Sequence, residues 1–170
     1  MIISPHSWGA ERTREHREMA AMSLPDPAAY IRRTHDALRP TISLGKTGGN
    51  YDAACVHLSA DDKLCFAIMT YLDAVETHGH AGFFASEEGV VWQDALKGLR
   101  LIGATHHANV LLGAALRAGG EPPLDLEHRR KLLANLAPKF EELDRQAQAK
   151  SALGHVWRHF YAARFGQLAA

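Results

Sequence analysis

The chain has 170 residues, of which 46% are hydrophobic and 22% are charged, proportions that are ordinary for a soluble globular protein. Nineteen basic residues balance nineteen acidic ones, so the formal net charge is zero. This balance argues against a nucleic-acid-binding protein, which usually carries a basic excess, and equally against a surface that copies the charge of DNA.

Neither the N-terminal segment nor the two cysteines suggest export. The first 22 residues lack the apolar stretch of a secretory signal. The sequence also contains no run of about 18 uninterrupted apolar residues, the length that a membrane-spanning helix needs. Cys55 and Cys65 lie ten positions apart, which fits neither a CxxC motif nor a disulfide framework. We therefore expect a cytoplasmic protein with two buried thiols, no membrane partner and no direct binding to nucleic acid.

The N-terminal third mixes a charged segment with one helix and one loop. Residues 1–24 predict a charged arm or surface helix, and residues 25–170 predict a single helical domain. Asp26 and Pro27 predict the start of a helix that ends at Pro40. The loop at 43–50, SLGKTGGN, comes close to a phosphate-binding loop, but Pro40 stands where its first glycine belongs and no strand precedes it. A plain loop is the favoured interpretation.

The middle of the chain predicts the most buried helix. A short helix at residues 51–58 is followed by Ser59, a good N-cap, with Asp61 and Asp62 at the positive end of the helix dipole. The helix over about 60–77 carries apolar residues on more than one stripe. It is therefore expected to lie at the centre of the fold.

The remaining elements are helical too. The apolar spacing and the Gly and Pro positions predict four helices, over 87–101, over 105–117 with Thr105 as cap and Gly119-Gly120 as stop, over 125–136, and from Pro138 onward. Strand-type alternation never exceeds four residues, and no internal repeat is present. The predicted class is all-α, a compact single-domain bundle of about seven or eight helices.

The segment at 75–84, VETHGHAGFF, supports two competing interpretations. One is a zinc or iron site, in which irregular helix ends bring two pairs of histidines together, with Asp73 or Glu76 as an oxygen ligand: His78, His80, His106 and His107. The pair His155 and His159 has chelating spacing but lacks the glutamate of a HExxH motif. The alternative is that these histidines face solvent or make hydrogen bonds.

The second interpretation is a structural corner between two helices. Phe83 and Phe84 would then fill the core, although an exposed pair would form a protein-binding knob. Nucleophilic catalysis has no support, because the chain lacks a GxSxG elbow and Cys65 lies in the most apolar helix.

The order of these features resembles the bacterial family of the DNA-mimic protein over about residues 50–145. Its core runs from a helix ending in Glu-Val through Asn-Gly-Gly-Phe to Gln-Phe-Phe, and then to an Ile-Gly-Ala turn. The positions in register are Val75, Gly79, Phe83, Phe84, Ile102, Gly103 and Ala104. The residues Leu58–Asp62 and Phe140–Asp144 resemble the family's helix opening and closing helix. The chain departs from the pattern mainly at His78 and His80, where the family has Gly and Phe, and at Gly82, where it has Gln.

The resemblance implies an all-helical fold without catalytic activity, and a candidate homodimer. For the best-known member it implies an acidic surface that competes with DNA for a DNA-binding protein. With zero net charge, only a local acidic face within residues 59–120, which hold seven acids and four bases, could act in that way here. We therefore expect a non-enzymatic cytosolic interaction protein with an unknown protein partner. The alternative is a metal-binding helical protein or a metal-dependent enzyme using the four histidines named above.

Overall fold

The structure is a computed structural model that describes residues 32, 35–40, 44 and 51–149. Within residues 51–149 lie six α-helices and one 3₁₀-helix, with no strand, which confirms the all-α class. The α-helices are α1 (Tyr51–Ala54), α2 (Ala60–Ala85), α3 (Trp92–Leu101), α4 (Thr105–Arg117), α5 (Leu126–Leu136) and α6 (Glu141–Ala149), and the 3₁₀-helix is Glu87–Val91. The predicted N-terminal arm and the pair His155 and His159 lie outside the described residues.

Helix α2 is the centre of the fold, as its sequence predicts. Residues 65–72 are all buried, and α3, the 3₁₀-helix, α5 and α6 pack around α2. Its N-terminus is capped by Ser59, whose Oγ accepts from the backbone N–H of Asp62 at 3.1 Å. None of the helices in the described part of the chain is long and apolar enough to cross a membrane.

Helix α1 is shorter than predicted. Helix α1 ends at Ala54 rather than at Leu58. Its first residue is held to α3, because the Tyr51 hydroxyl donates to Asp94 Oδ2 at 3.1 Å, while Lys63 bridges Asp52 and Asp94 at 2.7 and 3.0 Å. This charged cluster fixes α1 across the start of α2, and the chain then turns into the Ser59 cap.

The helix predicted from Glu87 to Leu101 is two elements. Its first turn is the 3₁₀-helix, and the α-helix begins only at Trp92. Gly89 explains the tighter turn: a Cβ at this position would lie 2.8 Å from the carbonyl oxygen of Phe83 and 2.9 Å from Arg129 Nε. The backbone passes so close beneath the end of α2 that only a glycine fits there.

Two predictions about helix starts, one for α4 and one for α6, are wrong. Thr105 is the first residue of α4 and not its cap, since Ala104 occupies that position without a side-chain bond. Helix α6 begins at Glu141 rather than at Pro138, after Ala137 adopts a left-handed conformation with φ of 40°. The stop at Gly119-Gly120 is confirmed, with the Gly120 N–H donating to the Ala115 carbonyl at 2.9 Å.

Helices α4 and α6 run antiparallel. Arg117 near the end of α4 donates to the Lys139 carbonyl just before α6, at 3.0 Å, and His106 near the start of α4 contacts the Gln146 carbonyl at 3.0 Å. Between these contacts, Gly113 lies against the Leu143 side chain. This arrangement places Asp144 of α6 beside the last third of α2, where the candidate site lies.

Candidate functional site

The segment at 75–84 is helical on both sides of one residue rather than a loop. Gly79 has φ of 66° and ψ of −179°, a conformation essentially confined to glycine, and it breaks α2 into two parts. A Cβ on this residue would lie 2.9 Å from Asp144 Oδ2. The break therefore needs glycine for two reasons, its backbone dihedrals and the close approach of α6.

Asp144 supplies the acceptor that the break would otherwise lack. Its Oδ1 accepts from the backbone N–H of His80 at 2.9 Å and contacts the His80 Nδ1 at 2.5 Å. The first residue of the second helical part thus receives its bond from α6, because a helix start leaves its first N–H groups without intrahelical partners. One carboxylate closes the break and fixes the imidazole.

The network continues to Tyr71. The His80 Nε2 lies 3.1 Å from the Tyr71 hydroxyl. Since a carboxylate only accepts, the neutral ring carries its proton on Nδ1, and Nε2 accepts from Tyr71. The resulting order of Asp144, His80 and Tyr71 resembles the acid, base and hydroxyl order of a catalytic triad.

The network of Asp144, His80 and Tyr71 is largely shielded from solvent. His80 and Tyr71 are 0% exposed, and only Asp144 is partly accessible. Burial lowers the pKa of His80, an effect that Asp144 partly offsets. Burial, and next the charge of Asp144, raises the pKa of Tyr71. Both side chains therefore stay neutral near pH 7.

Phe83 and Phe84 lie in the core rather than on the surface. Both are 0% exposed, and Phe83 packs edge-on against Tyr71 with ring centroids 5.2 Å apart. Phe140, just before α6, stacks on His80 at 6.1 Å. Phe83 and Phe84 therefore fill the core and do not form an exposed protein-binding surface.

Of the other residues matched to the family pattern, Val75 lies in α2 and the remaining three form the turn between α3 and α4. Val75 and Ala104 are buried, Ile102 is half-buried, and Gly103 turns the chain with φ of 74°. The small residues that could have formed a dimer contact are buried inside the fold: Ala104, Ala108, Ala114 and Ala115. They let helices approach within one chain.

The four histidines of the predicted metal site have separate environments. His80 is engaged by Asp144 and Tyr71, whereas His78 is exposed. His106 contacts the Gln146 carbonyl, and His107 is buried with its ring edge-on to His106, 5.3 Å between centroids. Among the described residues, no group of three or more potential ligands is placed to hold a metal ion. The structure does not bring these histidines together.

Arg129 is a buried residue that the sequence interpretation missed. It is 1% exposed and makes four bonds to backbone carbonyls: its Nε donates to Phe84, its Nη2 to Ser86, and its Nη1 to Pro123 and Leu124, all at 2.6 to 2.9 Å. Burial lowers its pKa to about 10, so it stays charged at neutral pH. A cation at the C-terminal end of α2 also complements the helix dipole.

A signal for Arg129 was present in the sequence, unlike one for the triad-like network. Leu126, Arg129 and Leu133 fall on one helical stripe, so an arginine stands at a core position of α5. Tyr71 and His80 are nine residues apart across the break, and Asp144 is 64 residues further on. No local spacing links these three.

The acidic side chains divide into paired and unpaired groups. Within the described residues, Lys63 neutralises Asp52 and Asp94, Arg39 contacts Glu88 at 3.3 Å, and Arg145 pairs with Glu142. In contrast, Asp36 and Asp73 approach the same His35 Nδ1 at 3.4 and 4.0 Å, and the exposed Glu76 follows one turn later. We call Asp36, Asp73 and Glu76 the acidic patch.

Comparison with known proteins places the chain in a family. The family described as DMP19-like protein matches residues 57–159. The chain belongs to the DMP19-like family. The match begins a little later and extends further than the 50–145 expected from the sequence motifs. No curated protein and no solved structure matches the chain.

Proposed function

We propose that this DMP19-like protein is a non-enzymatic, cytosolic protein that works by binding another protein. The observation that carries the proposal is the complete burial of His80 and Tyr71, which belong to the network that most resembles an active site. His80 and Tyr71 have no exposed surface, so a substrate cannot reach the imidazole or the phenol in this structure. A network of this kind serves to hold α2 and α6 in one geometry.

The proposed compartment is supported by the cysteines. Neither Cys55 nor Cys65 forms a disulfide, both are buried, and burial raises the pKa of the Cys55 thiol. Free thiols are the usual state in a reducing cytosol.

A second candidate function is competition with DNA, which the acidic patch favours. Its three carboxylates have no Lys or Arg ion-pair partner among the described residues. DNA presents about one charge per 1.7 Å of axis, a far denser array than three carboxylates whose neighbours are mostly paired. Ordinary protein binding is therefore the first proposal, and mimicry the second.

Affinity capture from the source cell tests both. The full chain, immobilised through a terminal tag, should retain one protein in near-equal amount that bare resin does not retain. A triple variant, Asp36→Asn, Asp73→Asn and Glu76→Gln, serves as a matched bait because all three changes remove charge with little change of shape.

The outcomes separate the two functions. A partner that stays bound in the presence of excess duplex DNA and binds the triple variant equally supports ordinary protein binding. A partner released by DNA and lost with the triple variant supports mimicry. Retention of no protein above the bare-resin level contradicts both.

A further inference from the structure

The outer side of α3 is a surface that the buried network and the acidic patch do not use. Six residues line an open groove of about 300 Å³: Trp92, Gln93, Leu96, Lys97, Arg100 and Leu101. They recur at intervals of four along two neighbouring rows of the helix, while Ala95, Gly98 and Leu99 on the other side are buried. The groove is thus one complete side of α3.

The accessible lining of this groove is mostly apolar, and one of its two leucines is highly exposed to solvent. Trp92 and Leu96 form the buried floor, and Leu101 at the end of α3 is 64% exposed. Within the described residues, no other helix contributes to this lining. An apolar floor with an exposed leucine at its edge is a surface that a partner side chain can cover.

The charges on the groove have one sign. Lys97 and Arg100 are both exposed, and neither forms an ion pair with an acid in the part of the chain that the structure describes. The acid on the same helix, Asp94, is directed away from them, since it binds Lys63 and Tyr51. The groove therefore presents two unneutralised cations beside an apolar floor.

We propose that the outer side of α3 binds an acidic, amphipathic helical segment of a partner protein. Its large apolar side chain would pack against Leu101, above the buried floor, and its carboxylates would face Lys97 and Arg100. Rows of side chains spaced four residues apart accept the ridges of a second helix, which favours a helical occupant over an extended one. This inference rests on the proposed protein-binding function and assigns it a location and a partner chemistry.

This surface has the opposite charge to one that would imitate DNA. A partner held here would contact the groove through acidic residues, so this groove is not a site of DNA mimicry. The attraction between exposed charges is screened by salt, so binding should weaken as ionic strength rises.

Peptide selection tests the groove without knowledge of the natural partner. A random 16-residue peptide library displayed on phage is selected on the full-length protein and counter-selected on a Lys97→Glu/Arg100→Glu variant. We expect enriched peptides that combine at least two Asp or Glu residues with a large apolar residue at helical spacing. No enrichment, or enrichment of basic or uncharged peptides, would overturn the proposal.

Titration of the best peptide, labelled with fluorescein, then locates the contact. Leu101→Glu and Lys97→Glu/Arg100→Glu should each weaken binding at least tenfold. Leu116→Glu is a matched control because Leu116, on α4, is 62% exposed, and Lys131→Glu reverses an exposed charge on α5. Both controls should bind as the unchanged protein does, and equal losses in the controls would overturn the assignment.

The two proposals can fail separately. A captured cellular partner that binds the Leu101→Glu variant normally would overturn the groove and leave protein binding intact. All four variants change exposed positions, and circular dichroism verifies that they stay folded.

Discussion

Asp144 binds His80 twice, through the backbone N–H at 2.9 Å and through the ring Nδ1 at 2.5 Å, across 64 residues of sequence. The same carboxylate lies against Gly79, whose conformation breaks α2. The break in the central helix is thus completed by a residue of the last described helix. We therefore expect a change in α6 to alter α2 at its break.

Replacement of Asp144 with alanine should destabilise the protein by about 2–4 kcal/mol. The change leaves the His80 N–H and Nδ1–H without their acceptor, and a buried donor that loses its partner costs about 1–3 kcal/mol. Urea unfolding followed by circular dichroism measures the free energy of unfolding. Asp144→Asn retains an acceptor oxygen and should lose less. Equal stability of the alanine variant and the unchanged protein would show that the contact contributes nothing.

Gly79→Ala should destabilise the protein more than Gly120→Ala does. Both glycines have positive φ, 66° and 91°, but only Gly79 has an atom within 3 Å of an added Cβ, whereas nothing lies within 4 Å at Gly120. The control therefore measures backbone strain alone, about 1–3 kcal/mol for such conformations. The excess cost at Gly79, measured by thermal unfolding, reports the contact with Asp144 together with the greater backbone strain of the Gly79 conformation. Equal costs would mean that α6 moves aside freely.

The stability of the protein should fall as the pH decreases below about 6.5, in part because of His80. Burial lowers the pKa of His80 in the folded state, so below 6.5 the unfolded chain binds a proton that the folded chain does not. This group alone can give a slope of up to ~1.4 kcal/mol per pH unit. Unfolding free energies measured between pH 5 and 7.5 test it.

Two variants isolate this effect from that of the other histidines. The double change His80→Phe/Tyr71→Phe removes the imidazole without leaving the phenol unpaired, and it should have a shallower slope than the unchanged protein. His78→Gln changes an exposed neighbour and should retain the full slope. An unchanged slope in the double variant would rule out His80 as a source.

Arg129→Met should cost about 3 kcal/mol or more, and Arg130→Met about 1 kcal/mol or less. The buried Arg129 serves four carbonyl oxygens, which lose their donors together, whereas the exposed Arg130 makes one bond, to the Ala85 carbonyl at 2.8 Å. The neighbouring positions on one helix control for propensity and net charge. Similar melting temperatures for the two variants would contradict the structural role of Arg129.

The sequence predicts what depends on local periodicity. The apolar stripes of α2 to α5, the Ser59 cap and the Gly119-Gly120 stop all arise from neighbours within five residues, and the structure contains them. The turn at Glu87–Val91 and the late start of α6 were missed, because close packing against Gly89 and the left-handed Ala137 decide them.

The candidate site was predictable only in part. Gly79 between His78 and His80 indicates a special backbone conformation, but the same pattern would arise in a metal site and in a corner between two helices. The partners that decide between them come from distant segments. Asp144 stands in a FEELD sequence in which three acids share the first turn of α6, and helix-dipole complementarity explains all three equally well. Only the three-dimensional structure distinguishes Asp144, the acid that contacts His80.

The dependence of the α2 break on Asp144 has a consequence for synthesis of the chain. A ribosome adds residues from the N-terminus at about 5–20 per second, so α2 emerges seconds before α6 exists. During that interval the His80 N–H and ring have only water as acceptors, and the two parts of α2 have no fixed angle between them. The native geometry of the most buried helix is thus among the last features of the described chain to form.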